Sequence, residues 1–125
     1  MFLDTNIVVD ALRRFPPAMT YLATAEQQGT LALSTPSQME LIIGCRNTVE
    51  LHHLRVFLER FEIRGLSATI GESAVELLYQ YRLSHGLLLA DALIAASAME
   101  YGETLYTKNV RHFQMISGLT VVRPY

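Results

Sequence analysis

Leu31-Ala32-Leu33-Ser34-Thr35-Pro36-Ser37-Gln38-Met39-Glu40-Leu41-Ile42-Ile43 is the stretch that decides the fold. Its first four residues read as a short apolar strand, and the next four as a helix start. Thr35 can cap, Pro36 suits the first helical position, where a missing N–H costs nothing, and Gln38 completes a capping box. The helix is expected to run to about Cys45. A strand that feeds directly into a helix is one half of a βα unit, and similar units lie on either side. Toward the N-terminus, Phe2-Leu3-Asp4 opens as a strand. Ile7 to Leu12 follows as a helix ended by Pro16-Pro17, and Ala18 to Gln28 as a second helix with Gly29 beyond its end.

Toward the C-terminus, Val49 to Arg60 reads as a helix and Phe61 to Arg64 as a strand. Thr69-Ile70-Gly71-Glu72 is a second capping box, opening a helix that ends near His85-Gly86. Ala90 to Tyr101 is a small-residue helix stopped by Gly102. Thr104 to Tyr106 is a strand, Asn109 to Phe113 a helical turn, and Leu119 to Val122 a last strand. Short apolar strands alternating with helices predict an α/β domain whose mainly parallel sheet is covered on both faces.

The chain has 125 residues, the size of one domain, with 50% hydrophobic and 18% charged residues. Roughly two-thirds of the unfolded surface should be buried at this size. A single cysteine, Cys45, excludes an internal disulfide framework and a cysteine-rich zinc site. Asp4 interrupts the N-terminal apolar stretch, so no secretory signal is expected. The longest apolar run, Leu87 to Met99, contains Asp91 and is too short to span a bilayer. These features predict a soluble, cytoplasmic protein. The net charge of −2 argues against nucleic-acid binding by bulk charge. Lys108 is the only lysine, so the other cations are arginines, whose planar forks suit phosphate.

Ligands of parallel sheets bind beyond the carboxyl ends of the strands. Asp4, Thr5 and Asn6 follow the first expected strand, the helix carrying Glu40 follows the second, and Thr107, Lys108 and Asn109 follow a later one. Asp4, Thr5 and Asn6 would also serve as helix caps. Glu40 lies between Met39 and Leu41-Ile42-Ile43, on a helix apolar nearly all round. Such a helix is expected to be buried, and a buried glutamate needs a partner or a cation; its other reading is a glutamate on a narrow polar stripe with Ser37 and Gly44. Asp91 is the one charge in a long apolar segment near a helix N-terminus, which favours its ionised form. Its other reading is an N-cap. Ala95 and Ala98 let another element approach that helix closely.

Clustered, the three carboxylates would repel, and a divalent cation resolves the repulsion. Oxygen-only ligands select Mg²⁺ or Mn²⁺ over Zn²⁺, and such metals serve phosphoryl chemistry. The histidines carry less weight. His52-His53 and His85 read as surface; His112 could reach the site from the turn after Asn109, but reads first as surface or packing. No Ser–His–Asp or Cys–His pairing stands out, and no glycine-rich phosphate loop is present.

Four blocks together resemble the PIN domain, in particular the VapC-type toxin nucleases of toxin–antitoxin pairs. They are Phe2-Leu3-Asp4-Thr5-Asn6, Ser34 to Gly44, Leu89-Ala90-Asp91-Ala92-Leu93-Ile94-Ala95-Ala96, and Leu105-Tyr106-Thr107-Lys108-Asn109-Val110-Arg111-His112-Phe113. They occur in the family's order and cover nearly the whole chain. The resemblance implies a three-layer α/β/α fold, one nuclease domain over residues 1–125, and a Mg²⁺- or Mn²⁺-dependent endoribonuclease. Asp4, Glu40 and Asp91 match the family's catalytic, metal-binding acids, and Asn6, Thr107 and Asn109 its supporting polar positions. Many relatives have a fourth acid near the position of Asn109, where this chain carries an amide. A cognate antitoxin and a homodimer are implied as well.

The expected reaction is hydrolysis of an RNA phosphodiester to a 5′-phosphate and a 3′-hydroxyl, with Thr107 and Asn6 orienting carboxylates or water. Lys108 or Arg111 is a candidate for a flanking phosphate. The alternative is a catalytically silent PIN-like module that binds RNA or a partner. A pure binder gains nothing from repelling acids beside phosphate, which weighs against it. A phosphatase or receiver-like domain is a further alternative, but this chain lacks the second aspartate near Asp4 that the first needs and the central phospho-acceptor that the second needs.

Overall fold

The computed structural model describes all residues, 1–125. The elements are β1 (Phe2–Leu3), α1 (Thr5–Leu12), α2 (Pro16–Gln28), β2 (Leu31–Ser34), α3 (Thr35–Ile43), α4 (Thr48–Leu58), β3 (Phe61–Arg64), α5 (Ala68–His85), α6 (Leu89–Glu100), β4 (Leu105–Tyr106) and β5 (Val121–Val122). A 3₁₀ turn, Val110–His112, joins the last two strands. The strands form one sheet in the order β3-β2-β1-β4-β5, and every pair is parallel.

Alternation along the strands splits the core in two. Phe2, Ala32 and Leu105 face one side, where Ile70, Ala74 and Leu77 of α5 and Ile94, Ala95 and Ala98 of α6 cover them. Leu3, Leu31, Leu33 and Phe61 face the other, beneath Ile7 and Val8 of α1, Leu22 of α2, and Leu54 and Leu58 of α4. Successive strand residues point to opposite faces, so a sheet buried on both sides needs unbroken apolar strands. The result is the expected three-layer α/β/α arrangement.

Several helix boundaries differ from the sequence reading, each for a local reason. Ser34, not Thr35, caps α3, because its hydroxyl accepts the Ser37 N–H at 3.1 Å. Ser67, not Thr69, caps α5 in the same way through Ile70 N–H at 3.2 Å. In both cases the capping oxygen must sit three residues before the N–H it receives. Pro16-Pro17 does not end α1. It opens α2, whose first N–H groups have no helical partner. Helix α1 already ends at Leu12, and Arg14 turns the chain with a left-handed φ of 59°. Asp91 is not a cap: Leu88 precedes α6, and Asp91 lies inside its first turn.

Helix α3 is not buried all round. Only Pro36, Ser37 and Leu41 are enclosed, while Met39, Glu40, Ile42 and Ile43 face outward, Ile43 at 82% exposure. It lies along the carboxyl edge of the sheet, so one stripe packs and the rest stays open.

Candidate active site at the carboxyl edge of the sheet

The three central strands β2, β1 and β4 end side by side, and the residues that leave them build the site. Asp4 follows β1, and its N–H donates to Tyr106 O at 2.9 Å; Thr107 follows β4, and its N–H donates to Val122 O at 3.0 Å. Both are therefore anchored by the sheet itself. Asp4 is only 5% exposed. One carboxylate oxygen accepts Thr5 N–H at 2.8 Å and the other accepts the Thr107 hydroxyl at 2.7 Å.

Thr107 is fully enclosed. Having given its one proton to Asp4, its oxygen accepts Asn109 N–H at 3.0 Å and the Asn6 side-chain amide at 3.3 Å. The Asn6 carbonyl oxygen in turn accepts Lys108 N–H at 3.4 Å. This uses the full bonding capacity of a hydroxyl and locks the Asp4 carboxylate in one orientation. Thus Asn6 and Thr107 meet beside Asp4. Asn109 joins through its backbone, and its side chain does not cap the turn that follows.

Glu40 arrives from α3, and its carboxylate accepts the Thr5 hydroxyl at 2.7 Å. The same hydroxyl lies 2.9 Å from that of Ser37, which lies 3.1 Å from that of Ser34. Asp91 arrives from the first turn of α6, with His112 Nδ1 3.6 Å from its carboxylate. Sequence reasoning gave His112 and Thr5 too little weight. A hydroxyl directly after the first aspartate was the available signal for Thr5; for His112 it was its place in the turn after Asn109.

The electrostatics of the acids follow from burial. Asp91 is pushed up to about 6, first by burial and then by the charge of Asp4, with Glu40 adding to it and His112 opposing. Asp4 is also held above its ordinary value by burial, against the bonds from Thr107 and Thr5, with Glu40 contributing repulsion. The three acids therefore sense one another, and no Lys or Arg pairs with any of them.

The chemistry of this donor set fits a hard divalent cation: three carboxylates, oxygen donors only, and uncompensated negative charge. The side chains are not drawn into a closed ligand cluster of three or more. The Lys108 ammonium is turned away to Asp10 at 2.5 Å, so it does not reach the acids, and Arg111 is exposed. A groove of about 620 Å³ reaches Glu40 from outside, with Leu12, Arg13, Cys45, Arg46 and His53 on its walls; Asp4 and Asp91 are not part of it.

The family model described as the PIN domain matches residues 1–118. The chain belongs to the PIN-domain family. Ribonuclease VapC19 of Mycobacterium tuberculosis is 37% identical over 119 residues, covering 94% of each protein. Ribonuclease VapC10 of the same organism is 34% identical over 120 residues, covering 95% of this chain and 90% of that one. Among solved structures, VapBC2 from Rickettsia felis, bound to a promoter DNA fragment, superposes with a TM-score of 0.83 at 29% identity. That likeness covers 98% of this chain and 96% of that one. A toxin–antitoxin complex from Klebsiella pneumoniae gives 0.78 at 31% identity, over 99% and 97%. The PIN fold thus accounts for nearly the whole chain, as the four sequence blocks implied. No helix is long and apolar enough to cross a membrane.

Proposed function

We infer that this chain is a divalent-metal-dependent endoribonuclease and the toxin of a toxin–antitoxin pair. The observation that carries the reading is that Asp4, Glu40 and Asp91 lie at the carboxyl edge of the sheet near enough to raise one another's charge cost, with no Lys or Arg paired to any of them, in a chain whose relatives are named ribonucleases. The whole activity is assigned to the one domain over residues 1–125, acting in the cytoplasm.

Asp4, Glu40 and Asp91 are the residues that would hold Mg²⁺ or Mn²⁺. When bound, such a cation polarises a phosphoryl oxygen and acidifies a water molecule. The protein's own part is positional. Thr107 and Thr5 N–H hold Asp4 in one orientation, and Asn6 and the Asn109 backbone hold Thr107. The Thr5 hydroxyl orients Glu40. Asp91 is ionised above about pH 6 and protonated below it. In the net reaction the water oxygen joins phosphorus, the bond to the 3′-oxygen breaks, and that oxygen leaves with a proton. The products are a 5′-phosphate and a 3′-hydroxyl.

The purified protein should cleave RNA with Mn²⁺ or Mg²⁺ and stop on addition of EDTA. Cleavage that continues in EDTA overturns the metal-dependent reading, and RNA binding without cleavage in either metal favours a silent module. The partner is a cognate antitoxin, as in the complexes the fold resembles. A homodimer is supported by an exposed apolar stripe. Val75, Tyr79 and Leu83 recur every four residues along α5 beside Leu88 and Leu89, with Leu83 fully exposed. Leu83→Glu should turn a dimer into a monomer by sedimentation; an unchanged dimer would place the interface elsewhere.

A further inference from the structure

We propose that Ser37 is a positioning residue for Glu40 and acts through Thr5. The inference rests on the metal-dependent reading above and goes further into the same site.

Ser37 touches no carboxylate. It is fully enclosed, and its hydroxyl lies between those of Ser34 and Thr5. Each hydroxyl has one proton to give, so the direction of the chain can be worked out. Thr5 has two neighbours, the Glu40 carboxylate at 2.7 Å and the Ser37 hydroxyl at 2.9 Å. A bond to a charged acceptor is the stronger, so the Thr5 proton goes to Glu40. Ser37 must then donate to Thr5, and Ser34 to Ser37. Ser34 can do so because its lone pair already accepts the Ser37 N–H at 3.1 Å. The opposite direction would leave Glu40 without a donor and the Ser34 proton without an acceptor.

The chain thus runs one way, from Ser34 through Ser37 and Thr5 to Glu40, and successive hydroxyls polarise one another. Its value lies in where Glu40 sits. Glu40 is on the open side of α3, on a long side chain that loses much rotamer freedom when ordered. Asp4 is held by the sheet, but Glu40 has only Thr5. With Ser37 in place, the Thr5 hydroxyl is held between two partners, at 2.9 Å from Ser37 and 2.7 Å from Glu40.

The residue type at position 37 agrees with this role. The third position of a helix capped by serine favours Glu or Gln, which reach back to the cap. A serine there forgoes that bond. It is short enough to stay buried and still bridge β2 to the start of α1.

The test is a calorimetric titration of the free, RNA-free protein with Mn²⁺, with thermal unfolding as the check on folding. Ser37→Ala should weaken Mn²⁺ binding by about 10-fold, at the low end of the range for residues that orient metal ligands. Thr5→Val should weaken it at least as much, while Thr5→Ser, which keeps the hydroxyl, should bind as the parent does. The double variant Ser37→Ala/Thr5→Val should bind no more weakly than Thr5→Val alone, because Ser37 has no other route to the metal. A merely structural serine would lower the melting temperature and leave the titration unmoved. Should Ser37→Ala not fold, Ser37→Cys keeps a similar shape with a weak donor and should show the same loss. Parent-like Mn²⁺ affinity in the position-37 variant, or summed effects in the double variant, overturns the proposal. Asp4→Asn separates the two levels. If it loses Mn²⁺ while Ser37→Ala keeps it, only the relay fails. If it too binds Mn²⁺ normally, the metal site itself is wrong and the relay falls with it.

Discussion

Two aspartates sit on α1, Asp4 at its N-cap and Asp10 in its second half, and each bonds to a residue that has just left β4. At the C-terminal half of the helix, Asp10 meets Lys108 at 2.5 Å and accepts the Tyr125 hydroxyl at 2.8 Å. At the N-terminal end, Asp4 meets Thr107, one residue earlier in the chain. The outcomes are opposite. Burial would raise Asp10, but the hydrogen bonds from Lys108 and Tyr125 and the charges of Lys108 and Arg13 outweigh it and hold the carboxyl below its ordinary value. Burial also raises Asp4, and there the neutral partners do not overcome it. The protein thus has a cation within one residue of the site and directs it to the other aspartate. An acid left without a fixed cation among other acids is what a metal site needs, whereas Asp10 is a tie that fastens the C-terminal Tyr125 to α1.

The strongest way to break that comparison is to neutralise each aspartate in turn. Asp4→Asn should abolish RNA cleavage and leave the fold intact, as should Glu40→Gln and Asp91→Asn. Combinations should be no worse than the singles, because residues acting as one unit are not additive. Thr107→Val, which removes the orienting hydroxyl without changing charge, should cost roughly 10–100-fold in metal affinity or rate. Asp10→Asn should do neither. It should lower stability by roughly 1 kcal/mol, a modest cost because the Lys108 pair is partly open to solvent. Parallel Mn²⁺ titration, cleavage assays and denaturant melts of the variants check this. An inactive Asp10→Asn, or an Asp4→Asn that still cleaves, would erase the distinction between the two ends.

A second, smaller effect concerns pH. Asp91 titrates near 6 in the folded protein but near its ordinary value of 3.8 when unfolded. Between those values the native state binds more protons, so this group makes the metal-free protein lose stability as pH rises from about 4 through 6. The metal requires the ionised form, so Mn²⁺ affinity should fall as pH drops below about 6. The two slopes have opposite signs. Thermal unfolding in EDTA should therefore show a decline with rising pH that Asp91→Asn reduces by a few degrees, on the order expected for a domain of this size. A pH profile identical in parent and variant would mean that Asp91 is not the strained group.

How much of this was legible in the sequence depended on distance along the chain. Asp4, Glu40 and Asp91 were readable because each is a lone charge in an apolar setting, and the aspartates are few. The strands were readable because a sheet covered on both faces demands short apolar runs; their ends were less so, and Leu119 pairs with no strand though it was expected to. The caps slipped because several hydroxyls in a row compete for one geometry, as Ser34 and Thr35 do. The exposure of Met39, Ile42 and Ile43 was not legible, because composition says how apolar a helix is and not whether a neighbour covers it. Least legible was the bond from Thr5 to Glu40, and with it the place of Ser37. Residues 35 and 32 positions apart meet only because β1 and β2 are neighbours in register.

The finest test of the comparison adds an anion to the cation-poor end. Position 109 is where the family resemblance implies a fourth acid. Here Asn109 is exposed, its backbone N–H is committed to Thr107, and its side chain makes no capping bond. Asp4, Glu40 and Asp91 supply three negative charges at most, fewer than two divalent cations carry. An amide oxygen can coordinate but does nothing to offset repulsion between cations. The free protein should therefore hold one Mn²⁺ well and take any second ion only with the substrate phosphate. Asn109→Asp adds a hard anionic ligand at the edge of the site. It should strengthen a second Mn²⁺ by several-fold, seen as a second calorimetric phase without RNA, while the first site changes little. The backbone bond to Thr107 survives the substitution, so the orientation of Asp4 should be retained, and with it the first site. Two equally tight ions in the parent protein, or an unaltered titration of Asn109→Asp, would show that the charge deficit at this end of α1 does not limit metal occupancy.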